Sequence, residues 1–353
     1  MALKPVDWAS VPPDQHVSGR VVDPQGEPVV GAKLDVEGVE RGRGTQWGGI
    51  DFADPLAVTD ENGEFHLRCR EKVSALHATV EARGLAKRWT KLTLGKSNFL
   101  RLKEGVMVTG RVLLNSQPLK DVTVGMAGDN RLAGEFLGDF QTVTDDVGRF
   151  TFNNIPAEAG YYLYSKLDSQ KQREAVPVQP VRTGADATTK DLGDLEVKPA
   201  YRLAGRVVLS DGKPIPAGTQ LMIGRDQAWD HALVPLGEDG RFDFTGLPAE
   251  SVSLSVRLKG YKFSKRNPSL DWLNGGIVGR IDGDLTDLTL LMEPGEWQWD
   301  REEEDAPPGV DRVGREACVE EGDDELRARD PGDLVVDALG GDLDLLRLDE
   351  EVA

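Results

Sequence analysis

Gly19-Arg20-Val21-Val22-Asp23 begins the pattern that decides the fold, because the chain repeats it twice more. The later copies of Gly-Arg-Val begin at residues 110 and 205, so the copies lie 91 and 95 residues apart. Each copy is followed by a turn that contains a proline and then by a second turn that ends in phenylalanine. The prolines are Pro28, Pro118 and Pro214, and the phenylalanines are Phe65, Phe150 and Phe242. Three landmarks that recur in the same order predict an internal repeat.

The segments between the landmarks alternate apolar and polar residues. Residues 201–209 do so, as do residues 252–259 in the same copy. Alternation with a period of two is typical of a strand that covers a core with one face. Asn62-Gly63 and Asp239-Gly240 suit tight hairpins, because glycine adopts positive φ without steric cost. We therefore predict about seven short strands in each copy, packed as a β-sandwich.

The first copy carries the fullest set of these residues. It reads Gly19 to Asp23, then Gly26-Glu27-Pro28-Val29-Val30-Gly31-Ala32, then Thr59-Asp60 through Gly63 and Phe65. In this order the residues closely resemble the carboxypeptidase regulatory-like domain, a transthyretin-like module. Copies two and three resemble it more loosely. Leu119-Lys120-Asp121-Val122 replaces the Gly-Ala segment in copy two, and Gly237-Glu238 replaces Thr-Asp in copy three.

The resemblance covers residues 17–295 and implies a Greek-key sandwich that carries no chemistry of its own. In that family the module is usually appended to enzymes, receptors or surface proteins of secreted or periplasmic location. The expected fold class is therefore all-β, with three tandem seven-stranded Greek-key β-sandwiches of the transthyretin/Ig-like type. Because a fold does not fix a function, the resemblance does not imply a particular ligand.

Domain boundaries follow from the repeat and from composition. We expect an N-terminal linker at 1–16, sandwiches at 17–104, 105–199 and 200–295, and an acidic tail at 296–353. The tail has 21 acidic and 6 basic residues, in a chain with a formal net charge of −19. High charge with few large hydrophobic residues predicts a disordered tail. Leu334-Val335-Val336 and Leu343 to Leu348 could still form a brief strand or helix. The small set of residue types in the tail also fits a reading frame that has no selected fold.

Composition excludes several classes of function. No segment offers the basic stripe that binds a phosphate backbone, nor the roughly 20 apolar residues of a membrane helix. Met1 to His16 lack the apolar region of a signal peptide. The resemblance suggests an extracytoplasmic (periplasmic or cell-surface) location, while a cytoplasmic location or a truncated start stays open. We expect protein, peptide or carbohydrate partners, no nucleic acid and no membrane insertion; the oligomeric state stays open.

Residue types that carry chemistry are scattered along the chain. Cys69 and Cys318 imply no disulfide framework, and the four histidines show no metal-ligand spacing. The turn from Asp60 to Glu64 lacks the glycine and glutamate spacing of an EF-hand calcium loop. No serine stands in a Gly-x-Ser-x-Gly motif with a positioned base. We therefore expect no catalytic residue, no cofactor and no metal, and we expect that the chain is not an enzyme.

Some related surface modules form a Lys–Asn isopeptide bond between an early strand and the last strand. The early strands of this chain carry Arg20, Arg111 and Arg206 instead. Arginine stays protonated and cannot serve as that nucleophile, so we expect no such bond.

Aromatic residues recur in the variable insert between the two turns of each copy. Loops carry function more often than cores, and aromatic rings can stack on sugars or hold a peptide. The alternative is that these rings cap the open ends of the sandwiches, in which case Trp47→Ala or Trp229→Ala would lower stability. As tentative ligand contacts we single out Trp47, Phe52, Phe136, Phe140, Trp229 and Trp272.

The sequence thus favours a non-catalytic structural or binding array. Such an array would recognise a peptide, a glycan or a protein partner through its loops or sheet edges. The alternative is a regulatory or sensor appendage of a peptidase or membrane protein. An enzyme is the third option and the least favoured one, because no constellation of residues supports it.

Overall fold

The computed structural model of the chain describes residues 6–42, 44–48, 50–129, 137–169, 174–225, 227–265, 271–273 and 276–295. The tail predicted at 296–353 and the side chain of Phe136 lie outside the described residues. Within the described ranges, all regular structure is β-strand apart from three short 3-10 turns. These turns are Trp8–Ser10, Pro13–Gln15 and Leu167–Ser169.

The first sandwich packs a three-stranded sheet against a larger one. The smaller sheet has the order β5-β1-β8, and the larger has the order β3-β2-β6-β7, with β4 also paired to β2. The strands are β1 (His16–Val22), β2 (Lys33–Arg41), β3 (Gly44–Trp47), β4 (Leu56–Val58), β5 (Glu64–Arg68), β6 (Ala75–Glu81), β7 (Arg88–Thr93) and β8 (Ser97–Arg101).

The second sandwich repeats this arrangement. One sheet places β9 between β13 and β17, with β10 also paired to β9, and the other has the order β12-β11-β14-β16. A two-stranded sheet of β15 and β18 lies beside them. The strands are β9 (Val106–Leu114), β10 (Gln117–Pro118), β11 (Thr123–Gly128), β12 (Asp139–Val143), β13 (Arg149–Ile155), β14 (Gly160–Ser165), β15 (Glu174–Ala175), β16 (Gln179–Arg182), β17 (Thr189–Glu196) and β18 (Lys198–Pro199).

The third sandwich extends both sheets by a strand. The sheet orders are β22-β19-β27-β24 and β21-β20-β23-β26-β25. The strands are β19 (Tyr201–Leu209), β20 (Gln220–Arg225), β21 (His231–Pro235), β22 (Arg241–Leu247), β23 (Ser251–Val256), β24 (Tyr261–Phe263), β25 (Asp271–Leu273), β26 (Gly276–Arg280) and β27 (Leu285–Pro294).

The three copies share one topology of seven strands. In each copy the first strand runs antiparallel to the strand after the second landmark turn and parallel to the last strand. The expected all-β fold of tandem sandwiches is therefore confirmed. The copies differ from one another in the short strands added to the common seven, namely β3 in the first, β10, β15 and β18 in the second, and β24 and β25 in the third.

The landmarks of the sequence repeat meet in space. The glycine of each Gly-Arg-Val lies directly opposite the phenylalanine that ends the second turn, as Gly19–Phe65, Gly110–Phe150 and Gly205–Phe242. A Cβ atom on Gly110 would lie 2.5 Å from the Phe150 ring. Glycine is therefore needed there, because the ring of the neighbouring strand occupies the place of a side chain.

The second turn is anchored to the same strand. Gly63 has a φ of 73°, and its carbonyl accepts the Val21 N–H at 2.8 Å. The other two copies repeat this bond. In copy three, Gly237 N–H donates to the Arg241 carbonyl as Asp60 N–H does to Glu64. Gly237 is therefore the equivalent of Asp60. The sequence instead aligns Gly237 with Thr59, so the structure shifts that alignment by one residue.

Each sandwich has its own hydrophobic core. The first contains Leu34 and Phe65, and the second contains Met126 and Phe150. The third core contains Phe263 but also takes in Leu167 from the second copy. The cores follow the repeat, while the exact domain boundaries stay a prediction.

The N-terminal segment lies against the first sandwich. The Trp8 ring stacks on His16 and His66, with ring centroids 5.3 and 5.1 Å away. His16 Nε2 lies 2.9 Å from His66 Nδ1, within hydrogen-bond distance. Burial and the neighbouring His66 lower the pKa of His16.

Candidate functional site

A cleft lies between the first and second sandwiches and has a volume of about 470 Å³. We call it the cleft throughout. It combines charged groups, amides and one aromatic ring, a mixture that suits an extended ligand more than a small apolar one. Its lining residues are Gly31, Lys33, Glu81, Ala82, Arg83, Gly84, Leu85, Lys87, Phe140, Asn153 and Asn154.

Asn154 holds the two sandwiches together at the base of the cleft. Its φ is 56°, and its side-chain amide donates to the carbonyls of Gly84 at 2.9 Å and Glu104 at 2.7 Å. Asparagine tolerates this left-handed conformation better than most residues. Gly105 follows Glu104 with a φ of 86°, and a Cβ there would lie 2.6 Å from the Asn154 carbonyl carbon. The connection between the sandwiches therefore depends on close packing between the Asn154 and Gly105 backbones, both of which have positive φ.

The charges of the cleft are largely paired with one another. Lys87 Nζ lies 2.7 Å from Glu81, and Lys33 Nζ lies 2.7 Å from Asp35. Arg83 is exposed and forms no ion pair with a residue of the described ranges. The cleft can therefore offer one guanidinium and several amides to a ligand. It does not bring together two carboxyl groups in different environments, as acid–base catalysis would require.

Phe140 is the one aromatic residue singled out from the sequence that lines the cleft. It lies on β12, is half-buried, and meets the Tyr161 ring edge-on with centroids 6.2 Å apart. Phe52 lies elsewhere, packed on the first core beneath the Arg41 guanidinium, which is 4.1 Å from the ring centroid.

Trp47 lies on the outer face of the larger sheet of the first sandwich, with 40% of its surface exposed. Its ring contacts His77 at a centroid distance of 5.0 Å, and His77 stacks on Trp89 at 5.1 Å. We call these three residues the ring stack. Burial lowers the pKa of His77, so its imidazole is neutral at pH 7. The sequence analysis missed His77 and Trp89 as neighbours of Trp47, because they lie on strands 30 and 42 residues further along.

Trp229 lies in the contact between the second and third sandwiches, which we call the second joint. Its carbonyl accepts the Tyr164 hydroxyl at 3.1 Å, and its half-buried ring packs near Ala127 and Ala228. Trp272 belongs to β25. The described aromatic residues are therefore spread over separate places and are not gathered into one site; their role as ligand contacts stays a prediction.

A buried arginine lies at the centre of the second joint. The Arg225 side chain is 0% exposed and forms a bidentate pair with Glu250, with Nη2 3.0 Å from Oε2. Its Nη1 donates to the Ser165 carbonyl at 2.6 Å and to Asp230 Oδ2 at 3.3 Å. The Arg225 side chain thus binds two carboxylates of its own sandwich, the third, and one main-chain carbonyl of the second sandwich.

Asp230 continues this network into the second sandwich. It accepts the Leu167 N–H at 2.8 Å, and Lys166 Nζ lies 3.6 Å from its other oxygen. Burial raises the pKa of Asp230, while the Leu167 hydrogen bond and the charges of Arg225 and Lys166 oppose that rise. Every charge of the network has a partner, which is the condition for keeping charges out of water.

Two of the three early-strand arginines form non-covalent ion pairs. Arg111 makes a bidentate pair with Asp194 of the last strand of its copy, at 2.9 and 2.7 Å. Arg206 lies 3.3 Å from Asp239. Arg111–Asp194 thus adds a non-covalent ion pair to the backbone pairing of the first and last strands.

Among the described residues, no group of three or more His, Cys, Asp or Glu side chains could hold a metal ion. The described helical turns include none long and apolar enough to cross a membrane. Cys69 is buried as a free thiol, and burial raises its pKa.

The chain matches no protein-family model. A search of curated proteins also finds no match. Among solved structures, the chain is similar to the TIE protein of Bacillus anthracis at 11% identity and a TM-score of 0.23, over 80% of this chain and 50% of that one. It thus spans about half the length of that protein.

Two pilins are also similar to the chain. The first is a minor pilin of Streptococcus agalactiae, at 15% identity and a TM-score of 0.27, over 59% of this chain and 100% of that one. The second is BcpA, the major pilin subunit of Bacillus cereus, at 9% identity and a TM-score of 0.22, over 80% and 99%. These similarities accompany an all-β fold and identify no function.

Proposed function

We propose that the chain is a non-catalytic structural and binding array, in which tandem sandwiches hold binding surfaces at fixed separations. The observation that carries the proposal is the second joint. Arg225 is fully buried there between Glu250, Asp230 and the Ser165 carbonyl. A flexible linker would leave these groups in water, so a buried network implies that the second and third sandwiches act as one rigid body.

The cleft supplies the binding surface of this array. It lies at the edge of β12, where Phe140 and Arg83 can meet a peptide, a glycan or a protein loop. An aromatic ring and a guanidinium are groups that commonly contribute most to recognition. On the basis of the sequence resemblance, we further propose that the sandwiches at 17–104, 105–199 and 200–295 are carboxypeptidase regulatory-like domains. The same resemblance supports an extracytoplasmic location.

A second candidate function is a regulatory or sensor appendage of a peptidase or membrane protein. The contact between the first and second sandwiches, which we call the first joint, favours it. This joint relies on an exposed ion pair between Lys103 and Glu158, which contributes little, and on the neutral hydrogen bonds of Asn154. Such bonds contribute only about 0.5–1.5 kcal/mol each. A ligand in the cleft could therefore move the first sandwich, and that movement could report binding.

Limited proteolysis of the full chain, read by mass spectrometry, tests the array. We expect a cut near residue 104 that releases the first sandwich, while residues 105–295 resist as one fragment. Equal cutting near residue 199 would contradict a rigid second joint. Turnover of peptide or ester substrates by the purified chain would overturn the non-catalytic assignment.

The cleft is tested with a displayed peptide library selected on the full chain. Phe140→Ala should weaken the selected binders, because it removes the ring that lines the cleft. Val143→Ala is the matched control, since Val143 is 55% exposed on the same strand but does not line the cleft. Equal effects of the two substitutions would show that the binders do not use the cleft.

A further inference from the structure

The ring stack of Trp47, His77 and Trp89 crosses the outer face of the sheet β3-β2-β6-β7. The two ring contacts have centroid distances of 5.0 and 5.1 Å and interplanar angles of 42° and 25°. Trp47 reaches His77 across β2 because Gly38 lies between them, and a Cβ on Gly38 would lie 2.6 Å from the indole. The sequence therefore leaves a gap on β2 that the indole fills.

Polar atoms are buried in the ring stack without partners. Both ring nitrogens of His77 and Nε1 of Trp89 form no hydrogen bond within the described part of the chain. His77 is only 6% exposed. Buried polar groups are nearly always hydrogen-bonded, because an unsatisfied one loses its water and gains nothing in return. Three such atoms at one place are donors and acceptors that a bound molecule could pair with.

The carboxylates beside the ring stack already have partners within the protein. Glu40 and Lys91 form an ion pair next to His77, and Glu37 accepts the Thr79 hydroxyl at 2.8 Å. A charged ligand would have to break the ion pair or the hydrogen bond. The imidazole of His77 is neutral, with one nitrogen that donates and one that accepts. A neutral ligand that both donates and accepts hydrogen bonds therefore fits this environment.

We propose that the ring stack is a binding site for a neutral saccharide. A sugar hydroxyl can donate to one imidazole nitrogen of His77 and accept from the other or from Trp89 Nε1. The C–H face of the sugar packs on the aromatic rings, as apolar surface with a few fixed polar groups is typical of ligand sites. This inference rests on the proposed binding array and names the ligand class of one of its surfaces.

Trp47 is the movable part of the site. All four residues of β3 are exposed, and Gly48, with a φ of 68°, follows Trp47 directly. The indole can turn away from His77 without disturbing the core, because within the described residues β3 is an edge strand that pairs with β2. Turning it exposes the imidazole and the Trp89 N–H to the ligand.

The test titrates cellobiose, maltose and N,N′-diacetylchitobiose into the full chain, read by calorimetry and tryptophan fluorescence. His77→Phe keeps a ring of similar shape and removes both nitrogens. We expect at least tenfold weaker saccharide binding with an unchanged or higher Tm, because the substitution also removes unsatisfied polar atoms. His66→Phe is the control, since His66 stacks on Trp8 elsewhere in the same sandwich, and it should leave binding unchanged.

The proposal is overturned if none of the three disaccharides binds saturably, or if His77→Phe binds them as the unaltered chain does. A selected peptide whose binding is lost in His77→Phe, without saccharide binding, would also overturn the ligand class. None of these results would contradict the proposed array, because its rigid second joint is tested separately by proteolysis.

Discussion

Arg225→Ala removes the cation at the centre of the second joint. Glu250 and Asp230 would stay buried, with side chains 13% and 3% exposed, and the Ser165 carbonyl would lose its donor. Removing one partner of a buried ion pair costs about 3–5 kcal/mol. Lys166, 3.6 Å from Asp230, compensates in part, so we expect a loss near the lower end, about 3 kcal/mol.

Urea denaturation followed by tryptophan fluorescence measures this loss, and proteolysis near residue 199 should accelerate in the same variant. The matched control is Arg202→Ala. Arg202 also forms a bidentate pair, with Asp243, but the two side chains are 46% and 53% exposed. Exposed pairs contribute little, so the midpoint should barely move. If the two variants lose equal stability, the buried network does not hold the joint, and the reasoning fails.

Three further substitutions or conditions test the fold. Gly110→Ala places a methyl group 2.5 Å from the Phe150 ring and should cost about 1–3 kcal/mol in urea denaturation. Thr144→Val should cost about 1–3 kcal/mol by the same assay, because the buried hydroxyl bonds two main-chain groups; an unchanged midpoint would contradict either estimate. His16 and His77 have lowered pKa values, so the unfolded chain binds more protons below about pH 6.5. The free energy of unfolding should therefore fall between pH 7 and pH 5.5, and a constant value would refute this.

The sandwiches could be predicted from the sequence because the landmark residues are required by the local backbone conformation and by close contacts between neighbouring strands. Gly63 must have positive φ, and its carbonyl binds the Val21 N–H. Gly19 must be small because the Phe65 ring lies over it. Such requirements leave the same residue types in the same order in every copy, so the repeat is visible without an alignment.

The joints could not be predicted in the same way. In the sequence, Arg225 is indistinguishable from a solvent-exposed arginine at the end of a strand. Its partners Ser165 and Glu250 lie 60 and 25 residues away. Alternation of apolar and polar residues reports which face of a strand is buried within a sandwich. It does not report which polar residue at the end of a strand contacts another sandwich, because that contact depends on long-range packing. Trp229 was noticed as an aromatic residue, but its contact with Tyr164 depends on the same packing.

The two joints differ in the free energy needed to open them, and this difference assigns them different parts in the array. Opening the first joint breaks the hydrogen bonds of the Asn154 amide, about 0.5–1.5 kcal/mol each, and the exposed Lys103–Glu158 ion pair, which contributes little. Opening the second joint exposes the Arg225 network together with Leu167, which packs into the third core. The cleft lies at the joint that opens more easily, so ligand binding there can change the position of the first sandwich. The second joint then keeps the other two sandwiches together, and they provide the fixed body against which that movement takes place.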